Sequence, residues 1–449
     1  MTEYDAVVIG AGPGGESVIP TLAGAGLKVA VVERDLVGGT CAYWGCIPSK
    51  TLLRPGGIDI EARHGFGTGE AELNWPEIAR YRNWMVRDWN DSQQVEDLRR
   101  KGIDFFRGEA VIDGPGRVKV GSTELATKRI VVATGSDPAI LPIDGLDEIG
   151  YWTNREATSF QQVPRSILIL GGGAIGCELG QAMRAFGTDV TIVEATDQLL
   201  GRESKRAAGF LEKSFEAQGI ALRLGRKAVR FAADSGKKVA TLDSGETLSA
   251  HEVLVATGRK PNVTGIGLEN VGAKSTRKGI EVDHYCRAAD NVWAVGDVTG
   301  VAGFTHVADY QGQIACADIL GRPRPANYSD IPSVTFTDPE VASVGISQAS
   351  AAPEGMDVVE AFAPLSAASR TYTYGERYEG GLNLVADRQA KVLVGAWAVG
   401  PLAGEWMQPA SLAVRGKIPI DVLADTMLAF PTFTRLFREP IRELQSKVQ

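Results

Sequence analysis

The stretch Tyr4-Asp-Ala-Val-Val-Ile-Gly10-Ala-Gly12-Pro-Gly-Gly15 decides the fold. A short apolar run, typical of a parallel strand buried on both faces, leads into a glycine-rich turn and then a helical stretch to Gly26. A second strand, Lys28-Val-Ala-Val-Val-Glu33, follows. The same pattern recurs as Ser166-Ile-Leu-Ile-Leu170, Gly171-Gly-Gly173-Ala-Ile-Gly176, a helix, and Asp189-Val-Thr-Ile-Val-Glu194. In both copies the acidic residue lies 23 positions after the first glycine (33 − 10 and 194 − 171). One such glycine motif is weak evidence; two, each between strands and each closed by Glu, are strong. The first glycine permits the tight turn, the second lets backbone approach a pyrophosphate, and the third allows close helix–strand packing. The helix N-terminus then offers unpaired N–H groups to phosphate, and the terminal Glu accepts from a ribose diol. Two dinucleotides are expected to bind.

Outward from these motifs, Val132-Ala-Thr134-Gly135 and Val255-Ala-Thr257-Gly258 echo one another at the ends of short apolar strands. Between Glu33 and the first echo lies an excursion from about Trp75 to Lys101. Ile78, Tyr81, Met85 and Trp89 follow helical spacing there, Gly102 is a plausible stop, and Trp84 and Trp89 read as packing residues. Gly321-Arg-Pro-Arg-Pro325 reads as a linker. After it, short alternating strands such as Ser333–Phe336 and Lys391–Gly395, followed by helices, predict an α+β module.

The chain has 449 residues, enough for two to four domains with ample core. Its 44% hydrophobic and 23% charged residues match a soluble globular protein, and its 53 glycines exceed average usage. A net charge of −8 argues against nucleic-acid and anionic-membrane surfaces. No long apolar run or basic leader is present, so the cytoplasm is the expected compartment.

Five cysteines make no disulfide framework, but two are neighbours in Gly38-Gly-Thr-Cys41-Ala-Tyr-Trp-Gly-Cys46-Ile-Pro-Ser-Lys50. Their place just after the first ribose Glu suits a redox disulfide. A helix opening near Cys46 would lower its pKa and give a thiolate able to meet a flavin ring, with Lys50 one turn further on. A zinc half-site is the competing reading, but no second Cys or His pair completes four ligands, and no metal is expected. Cys177, Cys286 and Cys316 read as small packing residues.

The paired fingerprints, the Gly-Gly-Thr-Cys-x4-Cys-x-Pro-Ser-Lys segment and Asn291-Val-Trp-Ala-Val-Gly296-Asp297 resemble the class I flavoprotein disulfide reductases. Members include dihydrolipoamide dehydrogenase, glutathione reductase and mercuric reductase. Phe336-Thr-Asp-Pro-Glu340-Val-Ala-Ser-Val-Gly345 resembles the start of the family's dimerisation domain, so the likeness covers nearly the whole chain. The resemblance implies an α/β fold of two Rossmann-like domains, for FAD and NAD, plus a C-terminal α+β dimerisation domain. The expected boundaries are 1–152 and 263–330 for the FAD-binding and central parts, 153–262 for NAD(P), and 331–449 for dimerisation.

The same resemblance implies roles. Gly10, Gly12, Gly15 and Glu33 would bind the ADP half of FAD, with Gly39, Thr40, Ala110, Thr134, Gly135, Gly258 and Gly296 nearby, and Asp297 holding the ribityl chain. Cys46 would be the charge-transfer thiolate and Cys41 the sulfur that exchanges with substrate. Lys50 would pair with Glu178 beside the nicotinamide. Gly171, Gly173, Gly176 and Glu194 would bind the nicotinamide dinucleotide. Glu194 would repel a 2′-phosphate, and Ala195-Thr-Asp-Gln198 offers no cation, which favours NADH over NADPH even with Arg202 within reach.

Reductases of this family usually end in a His-Pro-Thr segment followed by Glu, a dyad that crosses the dimer interface and serves as acid–base. The matching segment here is Phe430-Pro431-Thr432-Phe433-Thr434-Arg435, and no histidine follows His306. Phe430 cannot protonate a leaving thiolate, and such a relay is worth about 10²–10⁴-fold, so ordinary disulfide turnover should be poor. The departure resembles 2-ketopropyl coenzyme M oxidoreductase/carboxylase, which also has Phe at that position, although Arg435 differs. Mercuric reductase is disfavoured because its C-terminal cysteine pair has no counterpart after Cys316, while the inner pair could still bind soft metals. Tyr43 and Trp44 would narrow the substrate side, stack on an aromatic substrate, or pack on an interface helix. The expectation is a dimeric, FAD-dependent NAD(P)H oxidoreductase with a Cys41–Cys46 disulfide, acting on a small disulfide-type or other electrophilic molecule. Flavin-only quinone reduction, C–S cleavage, and a redox-sensing or complex-binding flavoprotein stand as alternatives.

Overall fold

Residues 2–351, 355–375 and 378–449 are described by a computed structural model. They form two compact units, each built from discontinuous stretches. The first comprises Met1–Pro48, Arg80–Ala139 and Gly258–Asn327, and the second Ser49–Ala79, Ile140–Thr257 and Tyr328–Gln449.

In the first unit, Ala6–Ile9 and Val29–Glu33 are strands buried along their whole length, as the near-continuous apolar runs require of a sheet covered on both faces. They pair in parallel, with Ala6 opposite Val29 and Ile9 opposite Val32. The six-stranded sheet runs in the order Arg287–Ala289, Val292–Ala294, Ile130–Val132, Ala6–Ile9, Val29–Glu33, Asp104–Arg107. A four-stranded sheet ending in Ala110–Gly114 packs with it around a core that includes Val7, Val32, Ile112, Leu125 and Ala294.

The second unit repeats the plan. Its parallel sheet runs Glu252–Val255, Ser166–Leu170, Asp189–Glu194, Ala221–Leu224, the same relative order as the last four strands of the first unit's sheet. Helix Ala174–Ala185 buries eight of its twelve residues, among them Cys177, Leu179, Ala182 and Met183, beside Ile167, Ile169 and Ile192. A five-stranded antiparallel sheet from Pro332–Thr335 to Val392–Gly400, with helices Gln408–Gly416 and Arg438–Lys447, forms the expected α+β module around Leu382, Leu384, Ala398 and Leu444.

The excursion after Trp75 departs from its predicted reading. Helices Trp75–Met85 and Ser92–Arg100 are separated by Arg87–Trp89, where Arg87, Asp88 and Trp89 all adopt positive φ (54°, 49° and 54°). Three consecutive left-handed residues cannot continue a right-handed helix. The buried face is also different. Tyr81 (52% exposed) and Trp84 (65%) stack on one another at the surface, so Trp84 is not a packing residue of the core. The fully buried side chain of this helix is Arg82, whose guanidinium lies 5.6 Å from the Trp89 ring centre. The apolar spacing misled because a buried Arg covers core with its methylene stem as a hydrophobic residue does.

Candidate active site

The two glycine turns are built alike down to individual hydrogen bonds. Gly10 N–H donates to the Val32 carbonyl and Gly171 N–H to that of Val193, each at 2.8 Å. Both glycines have strongly positive φ, 102° and 108°, which L side chains rarely adopt. A Cβ on Gly15 would stand 2.1 Å from the Gly10 carbonyl oxygen, and one on Gly176 2.0 Å from that of Gly171. Each third glycine is therefore fixed by the closeness of helix to turn. Helices Pro13–Gly24 and Ala174–Ala185 start at Gly12 and Gly173 with no side-chain cap, leaving N–H groups at the N-terminus for an anion.

The terminal glutamates are held in matching ways. Glu33 accepts from Ala11 N–H through Oε2 and from Asp35 N–H through Oε1, both at 2.7 Å. Glu194 accepts from Gly172 N–H through Oε2 at 2.7 Å and from Thr196 N–H through Oε1 at 2.8 Å. Each carboxylate is thus oriented with lone pairs left over for a ribose diol. Uncapped helix ends, glycine turns without room for side chains and a fixed acceptor pair fit a dinucleotide in each unit.

The cysteine helix is placed by the first turn. Gly38 N–H donates to the Ala11 carbonyl at 2.8 Å, and a Cβ on Gly39 (φ 63°) would fall 2.7 Å from the Gly12 Cα. This contact brings helix Gly39–Trp44, with Thr40 and Cys41, up against the fingerprint, and helix Cys46–His64 opens at the second cysteine. Both cysteines are half-buried thiols. Thr305 hydroxyl donates to Cys41 Sγ at 3.1 Å and lies 3.6 Å from Cys46 Sγ. A hydrogen bond to Cys46, burial and the charge of Cys46 hold the Cys41 thiol well above its usual range, while the Thr305 bond acts in the opposite direction. Tyr43 is fully buried with its hydroxyl on the Val37 carbonyl, so it is a core residue rather than a substrate platform. Cys177, Cys286 and Cys316 are buried packing thiols, and burial pushes those of Cys177 and Cys316 up, the latter to about 12.

In the second unit, Lys50 Nζ meets Glu178 Oε2 at 2.7 Å. Glu178 is 4% exposed, and its other oxygen accepts from Phe336 N–H at 3.0 Å. The Lys50 ammonium also lies 4.7 Å from the Phe336 ring centre. Glu178 is therefore a buried, paired carboxylate and no solvated helix residue. Phe430 precedes a cis proline and is 67% exposed, with the Arg435 guanidinium 5.4 Å from its ring centre. Arg435 also donates to the Leu428 carbonyl at 3.2 Å. The two side chains thus form a cation–π pair.

Of the remaining sequence-derived residues, Thr134 is cross-linked to Asn262, which donates from its side chain to the Thr134 carbonyl and accepts from the Thr134 hydroxyl. Gly135 accepts from Asn262 N–H, and Gly258 from Ala139 N–H, both at 3.0 Å. Gly296 N–H donates to Gln311 at 2.7 Å. Asp297 accepts from Ser136 hydroxyl at 2.5 Å, with Arg259 3.8 Å away. Ala110 is buried at the start of its strand, opposite Val120, within the hydrophobic core. Sequence reasoning missed Thr305, Ser136, Arg259, Asn262 and Gln311. Ser136 and Arg259 directly follow the two Ala-Thr-Gly echoes, which is a signal that could have found them, whereas Thr305 and Gln311 belong to no motif and reach their partners through the fold.

Residues 4–312 match the model of the pyridine nucleotide-disulphide oxidoreductases, and residues 331–441 match the dimerisation domain of the same group. The chain is 34% identical over 460 residues to a dihydrolipoyl dehydrogenase of Geobacillus stearothermophilus, covering 97% of this chain and 95% of that one. It is 32% identical over 440 residues to a mercuric reductase of Staphylococcus aureus, covering 96% and 80%. Among solved structures, LpdA of Mycobacterium tuberculosis superposes with a TM-score of 0.88 at 28% identity, covering 99% of this chain and 100% of that one. A copper(II) complex of the HOCl-induced flavoprotein disulfide reductase RclA of Escherichia coli gives 0.87 at 26% identity, covering 100% of both. With two glycine turns, two oriented glutamates and a cysteine pair on one continuous match, the chain belongs to the pyridine nucleotide-disulphide oxidoreductase family.

Proposed function

We propose that this FAD-dependent oxidoreductase carries electrons from NADH to a Cys41–Cys46 redox pair and on to a small disulfide-type or other electrophilic substrate, without a histidine acid–base. The observation that carries the reading is the cysteine pair itself: two half-buried thiols within reach of one hydroxyl, set against the first fingerprint turn. When bound, the flavin supplies the exchange between two-electron hydride chemistry and thiol chemistry. Glu33 and the uncapped start of helix Pro13–Gly24 would hold its nucleotide half, and Asp297 would accept from its ribityl chain. Lys50 is fixed in position by its ion pair with Glu178. Glu194, oriented by Gly172 and Thr196, accepts from a free ribose diol and repels a 2′-phosphate, which supports NADH as donor.

Cys41 is the sulfur offered to substrate and Cys46 the one kept toward the flavin, in a homodimer whose site is completed across the interface. Phe430 would stand there where an imidazole would act, and Arg435 braces its ring. This apolar surface favours a second reading, in which exclusion of a proton donor protects a carbanion formed on C–S cleavage. Steady-state turnover of Cys41→Ser with disulfides and with quinones tests the thiol route. Disulfide reduction should be abolished while flavin-only quinone reduction stays largely intact; retained disulfide turnover would sink the proposal.

A further inference from the structure

The geometry points to Thr305 as the residue that holds negative charge on the Cys41 sulfur, a role that rests on the redox pairing of Cys41 and Cys46 proposed above. Thr305 is the first residue of the fifteen-residue helix Thr305–Ile319, and Phe304 before it provides no side-chain cap. The hydroxyl therefore sits at a helix N-terminus, where the partial positive charge of the unpaired N–H groups favours an anion. Its oxygen lies 3.1 Å from Cys41 Sγ and 3.6 Å from Cys46 Sγ, so one side chain addresses both sulfurs.

A hydroxyl has one proton to donate and two lone pairs. It can donate to one sulfur while accepting the S–H of the other, but it cannot donate to both. The shorter contact, 3.1 Å, is the one in which Thr305 donates to Cys41. That is the sulfur whose surroundings oppose ionisation: the Cys46 side-chain contact and burial raise its pKa, while the Thr305 hydroxyl and, to a lesser degree, a Cys46 backbone hydrogen bond lower it. A sulfur meant to attack substrate needs its thiolate, so a side-chain donor 3.1 Å from it increases the thiolate present. Phe430 offers no donor at the position where the family's imidazole would stand, so this service falls to a residue of the cysteines' own compact unit. Thr305 does not surrender its proton: it donates a hydrogen bond, and no bond to sulfur is made or broken by it.

The test uses the full-length, FAD-loaded protein reduced anaerobically with NADH. Iodoacetamide is added across the neutral-to-alkaline range, and the modified cysteine is identified by peptide mass. Thr305→Val keeps the shape and removes the donor, whereas Thr305→Ser keeps the donor. With a charged acceptor, loss of one hydrogen bond should slow Cys41 alkylation at neutral pH by about tenfold and displace its pH profile upward in the valine variant. The serine variant should stay within about twofold of wild type. If the valine variant loses FAD, Thr305→Ala gives the same comparison. Normal reduction of the pair with a valine or alanine profile equal to wild type would overturn the role of Thr305 alone. If NADH produces no new alkylatable thiols in the wild-type protein, the redox pairing itself fails, and Thr305 with it.

Discussion

At Asp338 a single carboxyl is set against its surroundings. Gln181 clamps its backbone on both sides, accepting from the Asp338 N–H and donating to its carbonyl, both at 2.8 Å. Burial, with Glu61 and Glu340 adding like charge and Arg54 opposing, raises the side-chain pKa from 3.8 to about 7. Over that interval the folded chain keeps a proton that the unfolded chain has released, so this group's contribution to stability falls as pH rises from 3.8 to about 7. Asp338→Asn should flatten that part of the thermal midpoint's pH dependence and leave the variant the more stable at neutral pH. Melting curves over the interval check this, and equal slopes for both proteins would place the effect elsewhere. Residues differ sharply in how visible they are before folding. Glu33 and Glu194 could be read from spacing because their partners lie within one supersecondary unit, and Cys41 and Cys46 because the two stand in one short segment. Thr305 could not, since its hydrogen bond to Cys41 spans 264 residues and no periodicity marks it.

The βαβ element shows how far local chemistry goes. Its strand–turn–helix pattern was readable twice, and both copies fold to the same register and the same hydrogen bonds. The third glycine is where the element is least forgiving. In Gly176→Ala the new Cβ would meet the Gly171 carbonyl oxygen at 2.0 Å, so helix Ala174–Ala185 must move off its strand. Overpacking of this kind costs about 1–3 kcal/mol. NADH affinity should fall by at least about tenfold. FAD content should be unchanged, because the first fingerprint is a separate element. Stopped-flow binding of NADH and the flavin absorbance ratio measure the two quantities. The segment after Trp75 went the other way: its apolar spacing suggested a buried face, but a left-handed turn at Arg87–Trp89 and the buried Arg82 redistribute the side chains. Period alone cannot distinguish a long cationic stem from an aliphatic side chain.

On the scale of the whole molecule, the chain carries the dimerisation domain of its family, and among the described residues no helix is long and apolar enough to cross a membrane. Phe430 and Arg435 lie within that domain's match and form a cation–π pair, at the positions where the proposed function has no imidazole acid–base. Phe430→His combined with Arg435→Glu should raise disulfide turnover by at least about tenfold, given the 10²–10⁴-fold usually contributed by such a group. Steady-state NADH oxidation with small disulfides is the measurement. No gain in a variant that still binds FAD would mean that Phe430 is not what limits disulfide chemistry.

The sequence by itself determined the two dinucleotide folds, the place of the paired cysteines and the absence of any histidine after His306. Each of these depends on residues close together in the chain: glycines that permit one turn, an acid at fixed spacing, two thiols in one segment. The tertiary structure decided what those residues touch. It buried Glu178 against Lys50, locked Gly39 onto Gly12, took Tyr43 into the core and brought Thr305 to both sulfurs. The physical reason is the range of the forces involved. Backbone geometry is fixed locally by steric limits, whereas a hydrogen bond or ion pair needs only about 3 Å in space and is indifferent to distance along the chain.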